Sequence, residues 1–201
     1  MHIPSSDTVD IEVLTFDDAM KSTNDDYDKS KWLYVPDFYS EYRYILGTRG
    51  KRPLICIGIN PSTAEPDNLD NTLKSVERIA LSNGYDSFIM FNVYAQRATN
   101  PDDMEIECNP RLHEENMKAF EYILSLSDRP SIWAAWGNII EKRKYLPACV
   151  RSMVELGEKY GAVWYSAGKI SKKGHLHHPL YLKNGTPLDP FDAAGYINGL
   201  I

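Results

Sequence analysis

The stretch "LICIGINPSTAEPDNLDNT", residues 54–72, decides the fold, because three structural signals follow one another within it. Leu54 to Ile59 is a near-continuous apolar run of strand length, the pattern of a strand buried on both faces. Gly58, Asn60 and Pro61 mark the change from buried to wet, and a polar segment follows. From Asp70 to Leu81 the apolar residues Leu73, Val76 and Ala80 then fall on one helical face. Strand, polar turn and amphipathic helix form the first half of a βαβ unit.

The same alternation continues outward. "SFIMFNV" (87–93) predicts a second buried strand, and "LHEENMKAFEYILSL" a helix with Met117, Phe120 and Leu124 at helical spacing. "SIWAAWG" (131–137) predicts a third strand, residues 139–160 a helical region interrupted at Pro147, and "AVWYSAG" (162–168) a fourth strand. Apolar strands alternating with amphipathic helices imply an α/β fold, a three-layer α/β/α sandwich with a mostly parallel central sheet. Upstream, Tyr42 to Leu46 predicts an added strand and Gly47 to Pro53 a turn. "FDDAMKSTNDDYDKSKW", with Asp17, Asp18, Asp25, Asp26 and Asp28, predicts a solvated acidic segment.

Composition narrows the function. With 201 residues, 43% hydrophobic and 25% charged, the chain is expected to form one domain, residues 1–201, with 1–40 peripheral. No apolar run approaches the ~18–20 residues of a membrane span, and "MHIPSSDTVD" lacks the regions of a signal peptide, so a cytoplasmic protein without a membrane partner is expected. A net charge of −6 disfavours tight electrostatic binding of nucleic acid, while leaving room for a local basic patch. Cys56, Cys108 and Cys149 are odd in number, widely spaced and without a C-x-x-C pair, which argues against a zinc site, an iron–sulfur cluster or a disulfide framework. No metal and no cofactor are expected.

In open parallel sheets the ligand crevice lies beyond the carboxyl ends of the strands. Each predicted strand ends there in a polar residue or glycine: Asn60, Asn92, Gly137 with Asn138, and Gly168. Such residues also simply make turns, but an amide offers both donors and an acceptor, suiting it to read a base edge or orient a water. Ser62 and Thr63 add hydroxyls, and a helix N-terminus near Asp70 favours a polar or anionic ligand. Arg97 is either an anion clamp or an exposed residue paired with Asp102 or Asp103. Phe91, Tyr94 and Trp136 offer either a stacking face or core. "KISKKGHLHHPLYL" (169–182) gathers Lys169, Lys172 and Lys173 with His175, His177 and His178. A basic loop of this kind suits a phosphate or developing negative charge better than a metal, and a plain surface loop is the alternative. Neither G-x-G-x-x-G nor G-x-x-x-x-G-K-[ST] occurs, which disfavours nucleoside-triphosphate hydrolysis.

"ICIGINPSTAEPDN", "FNVYAQRATNP", "WAAWGN" and "GHLHHPLYL", in this order, resemble the DUF1643 family over roughly residues 40–183, with 41–183 as the family core. More distantly, strand-G-I-N-P, strand-N, strand-W-G and H-P-L are similar to the uracil-DNA glycosylase superfamily. That resemblance implies a glycosylase-like fold, with Asn60 positioning a hydrolytic water, Asn92 reading the base and His178 as the motif histidine. Ser62 stands where the superfamily's motif has glycine, and Leu180 where it has serine, so fold transfers better than activity. The expected activity is hydrolysis of an N-glycosidic bond in DNA or a nucleoside. Asn60 and His178 are the expected catalytic residues, and Asn92, Ser62, Thr63, Arg97, His177 and Trp136 the expected contacts to the substrate. A non-catalytic binder of a nucleobase, nucleotide or nucleic acid and an acidic protein-interaction factor are the alternatives.

Overall fold

The computed structural model describes residues 1–4, 12–24 and 26–200, so Asp25 of the acidic segment lies outside the described residues. Seven strands form one sheet: β1 (Trp32–Val35), β2 (Ile45–Thr48), β3 (Pro53–Gly58), β4 (Ser87–Asn92), β5 (Ser131–Ala134), β6 (Val163–Ala167) and β7 (Leu188–Pro190). Their order is β1-β2-β4-β3-β5-β6-β7. The four central strands, β4, β3, β5 and β6, are mutually parallel.

The sheet is mixed rather than mostly parallel, because β1, β2 and β7 join it antiparallel. Only residues 36–44 separate β1 from β2, too few for the crossover that parallel neighbours need. The strand expected at 42–46 is displaced to Ile45–Thr48. Its first residues bond elsewhere: Tyr42 bridges Gln96, and the Arg43 and Tyr44 amides donate to Ala95 O and Val35 O at 2.9 and 2.8 Å.

Alternation along the strands builds two cores. Ile55, Ile57, Ile89 and Phe91 face one side and pack with Phe16 of α1 (Phe16–Lys21), Phe120 of α3 (Pro110–Leu124), Val150 of α4 (Leu146–Lys159) and Ile197 of α5 (Ala193–Asn198). Leu54, Cys56, Phe88 and Met90 face the other and pack with Leu73, Val76 and Ile79 of α2 (Asn71–Ser82). Asp70 caps α2 by accepting from the Leu73 amide at 2.9 Å, and Asn109 caps α3 through the Leu112 amide at 3.1 Å. Pro147 does not interrupt a helix. It sits in the first turn of α4, where its missing N–H has no intrahelical partner to lose, and residues Gly137–Glu141 form a separate 3-10 turn.

The connections set the position of any crevice. After β3 the chain leaves through α2 toward β4, and after β5 it leaves through α4 toward β6, on the opposite side. The carboxyl ends of β3 and β5 therefore flank a topological switch point. At the amino ends, the turns into β4 and β6 run through Gly84 and Gly161, each with positive φ and open space around it. All three cysteines are free; Cys56 and Cys149 are buried and Cys108 is half-buried. Among the described residues no helix is long and apolar enough to cross a membrane.

Candidate functional site

Asn60 follows the last apolar residue of the β3 run and is half-buried. Its Nδ2 donates to Pro61 O at 3.1 Å and to Ala98 O at 2.7 Å. Both partners are carbonyls, so the NH2 end must face them, and Oδ1 is left as the free acceptor. The Ala98 amide returns to Pro61 O at 2.9 Å, tying the start of the "NPSTA" loop to the segment after β4. Ser62 Oγ and Thr99 Oγ1 are 3.0 Å apart, and Thr99 is held from outside by the His2 amide at 2.7 Å. Thr63 is half-buried beside Ser62.

Below this loop lies a cationic cluster. Asn92 ends β4 opposite Gly58 and is 1% exposed, with Arg43 at 1% and Arg97 at 0%. Arg43 donates through Nη2 to Asn92 Oδ1 at 3.4 Å and through Nη1 to Ala64 O at 3.1 Å. Arg97 donates through Nη1 to Ser62 O and, at 3.3 Å, to the same Ala64 O, and through Nη2 to Tyr34 OH at 3.0 Å. Its guanidinium lies 4.3 Å from the centre of the Tyr39 ring. Burial, reinforced by the Arg97 charge, pulls the Arg43 guanidinium down to about 9.

This geometry corrects two expectations. Arg97 is not paired with Asp102, which bonds Lys142 instead; it is buried and tethers the loop from beneath. Asn92 does not present a complete amide edge, since Arg43 occupies its Oδ1 and only Nδ2 is unpartnered. Arg43 is the participant that sequence reasoning missed, hidden inside a predicted strand. Its one signal is a charge placed in the aromatic and apolar run "YRYIL".

His178 caps the short 3-10 turn Pro179–Tyr181, its Nδ1 accepting from the Leu180 amide at 3.3 Å. An acceptor Nδ1 requires the proton on Nε2, which leaves Nε2–H as a free donor. Burial holds the imidazole below its usual range; Asp70 opposes that shift and His177 adds to it. A Cβ added to Gly137, just beyond β5, would lie 3.8 Å from His178 Cβ. From the other side the turn is fastened to α2 by Ser75 Oγ, which donates to Pro179 O at 2.8 Å. His178 thus sits between the end of β5 and the first turns of α2, and Asp70 acts electrostatically on both His178 and Arg43.

His177 is half-buried next to it, its ring 6.5 Å from that of Tyr181. Trp136 offers no stacking face. Alternation along the β5 run turns Trp133 and Ala135 toward α2 and Trp136 to the opposite core, where it is fully buried and donates through Nε1 to Tyr196 OH at 3.1 Å. Phe91 and Tyr94 are also core. His175 likewise leaves the rim: its Nδ1 meets Tyr196 OH at 2.9 Å and its Nε2 meets Glu141 Oε1 at 3.0 Å, while Lys173 pairs with Glu141. Among the described residues no group of three or more His, Cys, Asp or Glu is placed to hold a metal ion.

A family model described as "Protein of unknown function (DUF1643)" matches residues 43–180. The chain belongs to the DUF1643 family. No curated protein and no solved structure matches it. The DUF1643 segment begins at Arg43 and contains Asn60, Asn92, Arg97 and His178, the residues around the loop and the switch point. The edge strands β1 and β7 and the helix α5 lie outside that segment.

Proposed function

We propose that this DUF1643 protein is a uracil-DNA glycosylase-like hydrolase that releases a nucleobase from DNA or a nucleoside at the carboxyl-end rim of its sheet. The observation that carries the reading is a pair of fixed orientations, one on Asn60 just after β3 and one on His178, which lies against Gly137 just beyond the neighbouring β5. Asn60 offers an acceptor and His178 a neutral donor. In hydrolysis the C1′–N bond breaks with its electron pair moving onto the base. An oxygen of the departing base gains negative charge and accepts from His178 Nε2–H. A water accepted by Asn60 Oδ1 supplies the oxygen that bonds C1′, and its proton passes to solvent, because an amide is too weak a base to take it. Catalysis of this kind depends mainly on stabilising the leaving group. Ser62 and Thr63 follow Asn60 in the loop, His177 precedes His178, and the buried Asn92 keeps an unpartnered Nδ2 at the end of β4.

The test is incubation with oligonucleotides containing uracil, mismatched thymine or modified bases, and with free nucleosides, followed by mass analysis for released base and abasic product. Release is expected, slowed ~10²-fold or more by His178→Ala, as for loss of one oxyanion donor. Asn60→Ala should slow release while leaving binding largely intact. Binding without release from any substrate would replace the hydrolase with a nucleobase-binding module. Neither binding nor release would reject both.

A further inference from the structure

The buried cluster under the "NPSTA" loop carries two positive charges and no negative one. Arg43 and Arg97 share Ala64 O as an acceptor, so their guanidiniums belong to one group, and among the described residues no carboxylate lies within ion-pair distance of either. The partners they do have are neutral: three backbone or side-chain carbonyls and one tyrosine hydroxyl. Neutral acceptors satisfy N–H groups but do not cancel charge, and buried ions are ordinarily paired. Three donors in this group also lack any acceptor: Arg43 Nε, Arg97 Nε and Asn92 Nδ2. Asp70, Glu65 and Glu41 act electrostatically on this group or its tyrosines, and the Glu41 carboxylate is already paired with His2 at 3.2 Å. Asp70 acts on Arg43, Glu65 on the neighbouring Tyr34 and Tyr39, and Glu41 on Tyr39, yet none of these carboxylates pairs with a guanidinium.

We infer that Arg43, Arg97 and Asn92 form a binding site for a phosphate group. Two guanidiniums and an amide N–H complement a doubly charged tetrahedral oxyanion better than a single planar carboxylate, and arginine forks suit phosphate geometry. The cover is thin. Tyr39, whose ring stacks on Arg97, is 43% exposed, and the half-exposed Ser62 and Thr63 form the loop above. Binding exchanges the Ser62 and Ala64 carbonyls for phosphate oxygens as acceptors of the same N–H groups. The site stands on this cluster and not on glycosidic chemistry, although a phosphate held here would lie next to the Asn60 rim. The phosphate belongs to free orthophosphate, to a nucleoside 5′-monophosphate or to the backbone of a single-stranded oligonucleotide.

The experiment measures thermal midpoint and calorimetric affinity of the full chain in chloride buffer of constant ionic strength. The ligands are orthophosphate, a nucleoside 5′-monophosphate, the same nucleoside without phosphate, a short single-stranded oligonucleotide, and acetate. A midpoint that rises with orthophosphate or a phosphate-bearing ligand, but not with acetate or the bare nucleoside, is expected, since a ligand bound only by the folded state stabilises it. The ligand that binds most tightly identifies the source of the phosphate. Arg97→Met should weaken binding at least tenfold, and Arg129→Met, an exposed arginine elsewhere, should not change it. Asn92→Asp settles the question if Arg97→Met fails to fold. It places a carboxylate beside Arg43, so it should raise the midpoint in phosphate-free buffer and remove the phosphate response. No phosphate response in the wild type, an equal response to acetate, or an unchanged response in Asn92→Asp would overturn the site. Phosphate binding without base release keeps this site and removes the hydrolase. Base release without phosphate binding does the reverse.

Discussion

At the scale of single residues, His178 makes the most direct prediction about pH. Burial depresses its folded-state pKa below the ordinary value of 6.5, so its imidazole C–H signals should titrate with a midpoint below that value. The sign of the stability effect follows. Between the depressed value and about 6.5 the unfolded chain takes up a proton that the folded chain refuses, so stability is full above this window and falls as pH drops through it. His178→Gln should flatten that part of a denaturation profile taken from pH 7.5 to 5. A midpoint at or above 6.5 would contradict the described environment. The place of Asn60 just past an apolar run was legible in the sequence, and His178 stood out in the basic loop 169–182 and through its H-P-L motif. The burial of Asn92 was not legible: the loop that covers it returns from a neighbouring strand, a long-range fact that no local pattern encodes. Arg43 was hidden for a related reason, since a charge inside a strand pattern reads as facing solvent until the far side is known to be covered.

Among the elements, α2 joins the site to the sheet. Its cap residue Asp70 serves two ends, accepting from the Leu73 amide and acting electrostatically on His178 and Arg43. Asp70→Ala should lower stability by about 1 kcal/mol, the usual cost of losing such a cap, in urea denaturation at neutral pH. Asp70→Asn should restore most of that loss, because asparagine caps equally well. It should also depress the His178 titration further, since the charge favouring the imidazolium is gone. The positions of α2 and α3 could be read from helical periodicity, because each buries one face, and those of the four central strands from their apolar runs, because each is covered on both faces. The three antiparallel strands could not all be read. β7 is three residues long and ends in proline, and β1 lies in an aromatic-rich stretch without clear alternation. Pro147 misled for an instructive reason: proline breaks a helix interior but is at home in a first turn.

For the whole molecule, the DUF1643 match and the folded unit have different limits. Residues 43–180 omit Tyr34, which accepts from Arg97, and Tyr196, which accepts from Trp136 and meets His175. They also omit Phe191, which packs against Trp136. A fragment of residues 43–180 should therefore lack the cooperative thermal transition of the full chain in near-ultraviolet circular dichroism. A fragment that unfolds cooperatively at the midpoint of the full chain would refute this. The βα alternation announced the class of fold from the sequence, but the flanking segments that close both sheet edges were visible only once the chain was folded.

The polarity of the parallel strands has a practical corollary. Everything attributed to the rim lies at one end of the sheet, while the turn at Gly161 opens into free space at the other. A tether emerging there would hold the protein on a solid support with the carboxyl ends of its central strands facing outward. A fluorescent reporter at the same turn would stand at the opposite end of the sheet from the proposed phosphate site, giving immobilised binding assays an attachment point remote from it.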